Sequence, residues 1–115
     1  MSIRARTTLF AVIALAFGGT GCGGSPAEPA AATVDVFTPG NTFSPFSMRV
    51  TAGTIVRYNI FGDDHNVIFS HAVAGFPADI NVVKDVVVTR TFPTKGTFSY
   101  ACTVHPGMNG EIVVQ

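Results

Sequence analysis

The sequence predicts an all-β protein, an antiparallel β-sandwich of about seven short strands packed as one domain over residues 33–115. Three observations predict it. Apolar residues downstream of residue 33 recur mostly with period two, the repeat of a half-buried strand. The 115-residue chain is rich in strand-forming side chains, with ten Phe and fifteen Val and no Trp. Clusters of Gly, Pro, Asn and Asp separate the apolar runs, and no helical repeat follows residue 33.

The chain opens on a different pattern. Arg4 and Arg6 form a positive start, and residues 9–17 are an unbroken run of nine apolar residues. The small residues Gly18, Gly19, Thr20 and Gly21 follow, and then Cys22. That order is the pattern of an export signal over residues 1–21. Nine apolar residues are too few to cross a membrane, which takes about twenty. A Cys directly after the small residues resembles a bacterial lipoprotein signal, in which that Cys is lipidated and becomes the new N-terminus. Gly19 stands where that pattern usually has Leu, so plain cleavage of the signal is the alternative. Residues 22–32 hold little bulky apolar side chain and read as a flexible linker.

The strands follow in order. Val34, Val36 and Phe37 end at the turn cluster Thr38-Pro39-Gly40-Asn41. Phe46, Met48 and Val50 alternate up to Ala52-Gly53. Val56, Tyr58 and Ile60 alternate around Arg57 and Asn59. Val67-Ile68-Phe69 is a short buried run. Residues 71–84 read as loop with room for one helical turn. Residues 86–92 are β-branched and strand-like. Phe98, Tyr100 and Cys102 share one face, and Ile112, Val113 and Val114 close the chain.

Charge and length exclude several classes. Lys and Arg together number seven, as do Asp and Glu. From Cys22 onward the balance is five basic against seven acidic residues, a net charge of −2. No basic face for nucleic acid is present, and so short a mature chain suits one modest core rather than a multi-site enzyme. No Ser-His-Asp arrangement suggests itself.

One cluster carries chemistry: Tyr100-Ala101-Cys102-Thr103-Val104-His105-Pro106-Gly107-Met108. Cys102 ends a period-two strand with its thiol inward, and Pro106-Gly107 forces a tight loop. Such a loop can fold His105 and Met108 back around one point. A thiolate, an imidazole and a thioether select copper over harder ions, and a blue-copper centre needs one further His. His65 and His71 are the two candidates. His65 is the better one, because it opens the buried run at 65–69, at a sheet end where loops meet. Each residue alone most often has an ordinary packing or surface role; the four together at this spacing do not read that way. The two Cys are not expected to pair with each other.

The sequence resembles the cupredoxins, the small blue (type 1) copper proteins of the plastocyanin and azurin group, over roughly residues 33–115. The spacing Cys102-x-x-His105-x-x-Met108 is similar to the short ligand loop of amicyanin. So is the stretch Gly96-Thr97-Phe98-Ser99-Tyr100-Ala101-Cys102-Thr103-Val104-His105-Pro106. His65-Asn66-Val67 matches the family's His-Asn-Val. The resemblance implies a Greek-key β-sandwich holding one type 1 copper ion. His65, Cys102 and His105 would be equatorial ligands and Met108 the long axial one. It implies that Asn66 joins the two ligand loops through Thr103. Two departures stand out: Asp63 and Asp64 precede His65, and Tyr58 replaces a frequent Trp. The implied function is a one-electron carrier in the periplasm or cell envelope. It would be monomeric, anchored through Cys22, and served by transient redox partners that dock weakly around the His105 edge. The alternative is a copper-binding module for delivery or storage. An enzyme role is not expected, since Ala101 and Thr103 flank Cys102 where multicopper enzymes place His.

Overall fold

A computed structural model of the protein describes residues 31–115. The export signal, Cys22 and nearly all of the linker lie outside the described residues. Eight strands follow one another: β1 (Thr33–Phe37), β2 (Ser47–Val50), β3 (Thr54–Ile60), β4 (His65–Phe69), β5 (Ile80–Val83), β6 (Val86–Phe92), β7 (Gly96–Cys102) and β8 (Met108–Val114). No helix occurs among the described residues. One sheet has the order β1-β3-β6 and the other β2-β8-β7-β4-β5. Packed face to face, they form the expected sandwich. Most neighbours are antiparallel, but β1 runs parallel to β3 and β2 parallel to β8. Both parallel strands are at a sheet edge and reach it by a long connection, the only route open to a parallel neighbour.

The period-two pattern explains which side chains face inward. Val56, Tyr58 and Ile60 of β3 are fully buried, while Arg57 between them pairs on the outer surface with Asp35 at 2.7 Å. From the other sheet come Val67 and Phe69 of β4, Phe98 and Tyr100 of β7, and Ile112 and Val114 of β8. Each such side chain contributes about 1.5–3 kcal/mol through removal from water. The rings meet edge to face: Tyr100 lies 4.9 Å from Phe43, 5.4 Å from Tyr58 and 5.7 Å from Phe69 between centroids. Gly110 is the cross-strand partner of Tyr100. A Cβ there would stand 2.6 Å from the Tyr100 ring and hydroxyl, so the bare backbone is what admits the ring.

Two local expectations differ from the structure. Residues 80–83 form strand β5 rather than loop or helical turn, because Ile80 and Val83 pair with Val67 and His65. That pairing is non-local, and Ile80 alone of the four residues is fully buried. Phe46 lies just outside β2 and is 60% exposed, so the inward alternation there starts only at Met48.

Four connections cluster at one end of the sandwich. They are residues 38–46, 61–64, 84–85 and 103–107, which follow β1, β3, β5 and β7. Residues 70–79 and 93–95 lie at the opposite end.

Candidate metal centre

Three strand ends and one loop place the four predicted residues. His65 is the first residue of β4 and Cys102 the last of β7. Met108 opens β8, and His105 sits in the loop between β7 and β8. The ladder pairs Cys102 directly with Met108, so five residues must turn the chain between two partners. Gly107 makes that possible with φ +82, a conformation that L side chains rarely adopt. The Met108 amide donates to the His105 carbonyl at 3.2 Å and closes the loop. Directly opposed residues in an antiparallel pair project to the same face. Cys102 and Met108 are therefore neighbours on the inner face, 3% and 1% exposed.

The donor atoms of the other three converge. Sγ of Cys102 lies 3.8 Å from Nδ1 of His65 and 3.9 Å from Nδ1 of His105. The two Nδ1 atoms are 3.2 Å apart. A triangle with these sides has its centre about 2.1 Å from each corner, within the about 2.0–2.3 Å that first-row metal bonds to imidazole and thiolate span. The donor set fits a metal by distance as well as by chemistry. Among the described residues this is the group of His, Cys, Asp and Glu side chains that could hold an ion. Among the described residues Cys102 has no disulfide partner.

His71 lies away from this point, at the opposite end of the sandwich. Its ring stacks on Phe76 at 4.2 Å and 12°, and its Nε2 approaches Asp79 at 3.8 Å.

The two histidines differ in setting. His65 has no exposed surface, and its buried Nε2 bonds to no other group among the described residues. Burial, and next the adjacent His105 ring, push its pKa below the ordinary imidazole value, against a smaller opposing pull from Asp63 and Asp64. Neutral imidazole is the form that binds a metal. His105 is partly exposed and reaches the surface among Val104, Pro106 and Gly107, all exposed.

Hydrogen bonds brace the loops. Asn66 donates from Nδ2 to Thr103 Oγ1 at 2.7 Å, and its Oδ1 accepts from the Thr103 amide at 2.7 Å. This bridge ties the residue after His65 to the residue after Cys102, as the resemblance implied. A second brace has no counterpart in the sequence reading: the Gly62 amide donates to Asp85 Oδ1 at 3.1 Å, from one crossover between the sheets to another. The only local signal for it was a polar Lys84-Asp85 pair between apolar runs.

The likeness to known proteins follows the geometry. Residues 31–115 match the family model described as copper binding proteins, plastocyanin/azurin family. A reduced tryptophan-to-tyrosine variant of amicyanin is 31% identical, with a TM-score of 0.64, covering 77% of this chain and 88% of that one. The copper-containing nitrite reductase from Thermus scotoductus SA-01 is 25% identical with a TM-score of 0.63 and covers 81% of this chain, which spans only 24% of the reductase. Oxidized plastocyanin from Dryopteris crassirhizoma, at 24% identity and a TM-score of 0.62, covers 71% of this chain and 100% of its own; it shows the shared fold alone. No match was found among the curated protein sequences.

Proposed function

Because the chain belongs to the plastocyanin/azurin family of copper-binding proteins, a cupredoxin whose cofactor is one type 1 copper ion, we propose that it carries single electrons outside the cytoplasm. The observation behind this reading is the triangle of two imidazole nitrogens and one thiol sulfur, with His65 and Cys102 buried on strand ends and His105 brought in by the loop between β7 and β8. In this reading His65, Cys102 and His105 would hold the ion, joined by Met108, which lies on the same inner face as Cys102. Copper bound there supplies a one-electron couple. The residues do the rest. Strand pairing of His65 with Val83 and of Cys102 with Met108, together with the Asn66 bridge, limits movement of the donors. Rigid donors keep the rearrangement between oxidation states small. Partial exposure of His105 gives electrons a short exit, and the apolar Val104 beside it, 41% exposed, suits a weak and brief encounter.

The nitrite reductase likeness covers a quarter of that protein, and Ala101 and Thr103 flank Cys102 here. We therefore read this chain as a carrier rather than an enzyme. Its N-terminus supports export: residues 1–21 act as the signal, Cys22 takes the lipid anchor, residues 22–32 form the tether, and residues 33–115 form the electron-carrying monomer. The mass of the mature N-terminal peptide tests this part.

The copper reading is tested by the visible spectrum and redox titration of copper-loaded protein. An intense blue thiolate band that bleaches reversibly on one-electron reduction is expected, and Cys102→Ser should abolish it. A colourless copper complex that gives up its metal readily to a chelator would favour the delivery or storage reading instead.

A further inference from the structure

We propose that Asp85 is a positioning residue for the copper site, holding the turn that presents His65. The inference rests on the reading of His65 as a ligand. Asp85 lies in the two-residue connection between β5 and β6, and it is the only non-glycine residue with positive φ among the described residues, at φ 53. An L residue held there is a conformation for which a function should be sought. Asp tolerates it better than most, since its short polar side chain can bond locally. Here it bonds elsewhere. Its Oδ1 accepts the Gly62 amide at 3.1 Å, across 23 residues of chain.

The placement explains what this bond does. The β5–β6 connection and the β3–β4 connection both pass from one sheet to the other at the end that carries the candidate site. Each side of Asp85 is already registered to its neighbour: Val83 pairs with His65, and Val86 pairs with Ile60. Between Ile60 and His65 the chain has no strand pairing, and Gly62 turns it with φ +92. Phe61 is anchored by its amide to Thr38 Oγ1 at 3.3 Å. Among the described residues, the Gly62 amide bonds to Asp85 alone. Three residues later comes His65, whose buried Nε2 bonds to no other group among the described residues that could fix the ring. A ligand without a bond at its far nitrogen depends on its backbone for orientation, so the hold on the turn becomes a hold on the ligand. Sub-ångström placement is what a preorganised site requires of its supporting residues.

Three substitutions separate this role from an ordinary turn. Asp85→Gly relieves the backbone but deletes the acceptor. Asp85→Asn keeps both the oxygen acceptor and the tolerance of positive φ. Asp85→Ala deletes the acceptor and adds strain. Two readouts are used. One is exchange of the Gly62 amide in copper-free protein, followed by NMR. The other is the hyperfine and charge-transfer signature of the copper(II) form. Asp85→Gly should speed Gly62 exchange by about tenfold, the effect of losing one net hydrogen bond. It should also shift the copper signature, and Asp85→Asn should restore both. The inference is overturned if Asp85→Gly changes exchange by less than about twofold or leaves the signature unmoved. It is equally overturned if Asp85→Asn behaves like Asp85→Gly, which would make charge the operative property. Should Asp85→Ala unfold, the Gly and Asn variants decide alone. Wild-type protein without a blue band would instead refute the ligand reading, a failure distinguishable from any of these.

Discussion

Replacing Asn66 by Ala removes the bridge between the two ligand loops and leaves every donor atom in place. The wild-type side chain makes two hydrogen bonds of 2.7 Å with Thr103, one to the hydroxyl and one from the amide. A typical net contribution is about 0.5–1.5 kcal/mol per bond, so the pair is worth about 2 kcal/mol. The value stays in the middle of the range because Thr103 is exposed and water replaces part of what is lost. For a domain of this size, about 2 kcal/mol lowers Tm by about 10 °C. Thermal unfolding of copper-free Asn66→Ala measures that term without interference from the metal. Thr103→Ala removes only the hydroxyl bond and should cost about 1 kcal/mol. Adding it to Asn66→Ala should then cost little more, since the hydroxyl has already lost its partner; the coupling in the double-mutant cycle should be about 1 kcal/mol. Fully additive losses would refute the bridge. So would an Asn66→Ala protein with unchanged Tm and an unchanged copper(II) hyperfine splitting.

Three other outcomes follow from the same site. A thioether favours copper(I), so Met108→Gln, with a harder oxygen donor, should keep the colour and lower the reduction potential; an unchanged potential would return Met108 to a packing role. Asp63 and Asp64 stand beside the His65 loop, and residues 22–115 carry a net charge of −2; changing both to Asn should slow electron transfer with a basic partner at low salt and matter little at high salt, and equal stopped-flow rates at low salt would leave only a solvated turn. Because His65 is held below its ordinary value of 6.5, the unfolded chain binds its proton more readily than the folded one. Copper-free protein should therefore be fully stabilised above that value and lose stability as pH falls below it toward the folded value. Denaturant midpoints across that window check the sign, and an identical slope in His65→Gln would assign the effect to another group.

The strand alternation and the donor types could be read along the chain because each is a local property. Period two depends on neighbouring residues only, so Val56, Tyr58, Ile60, Phe98, Tyr100 and Cys102 declared their faces without any partner strand. The Cys102, His105 and Met108 spacing likewise lies within seven residues, where a tight Pro106-Gly107 loop leaves few arrangements. What needed the folded chain was everything that pairs residues far apart. His65 and Cys102 are 37 residues apart, and their meeting depends on β4 pairing with β7. The same sheet carries His71 to the far end, onto Phe76, although the two histidines are only six residues apart in sequence. Strand β5 has almost no alternation of its own in its four residues; pairing with His65 and Val67 makes it a strand. Asp85 is marked locally only as part of a polar pair with Lys84, and that pair does not point to Gly62. Side-chain chemistry and local periodicity are written in the order of residues, but register and sheet order arise from burying both sheets against each other. That burial decides which histidine joins the thiol and which aspartate holds its turn.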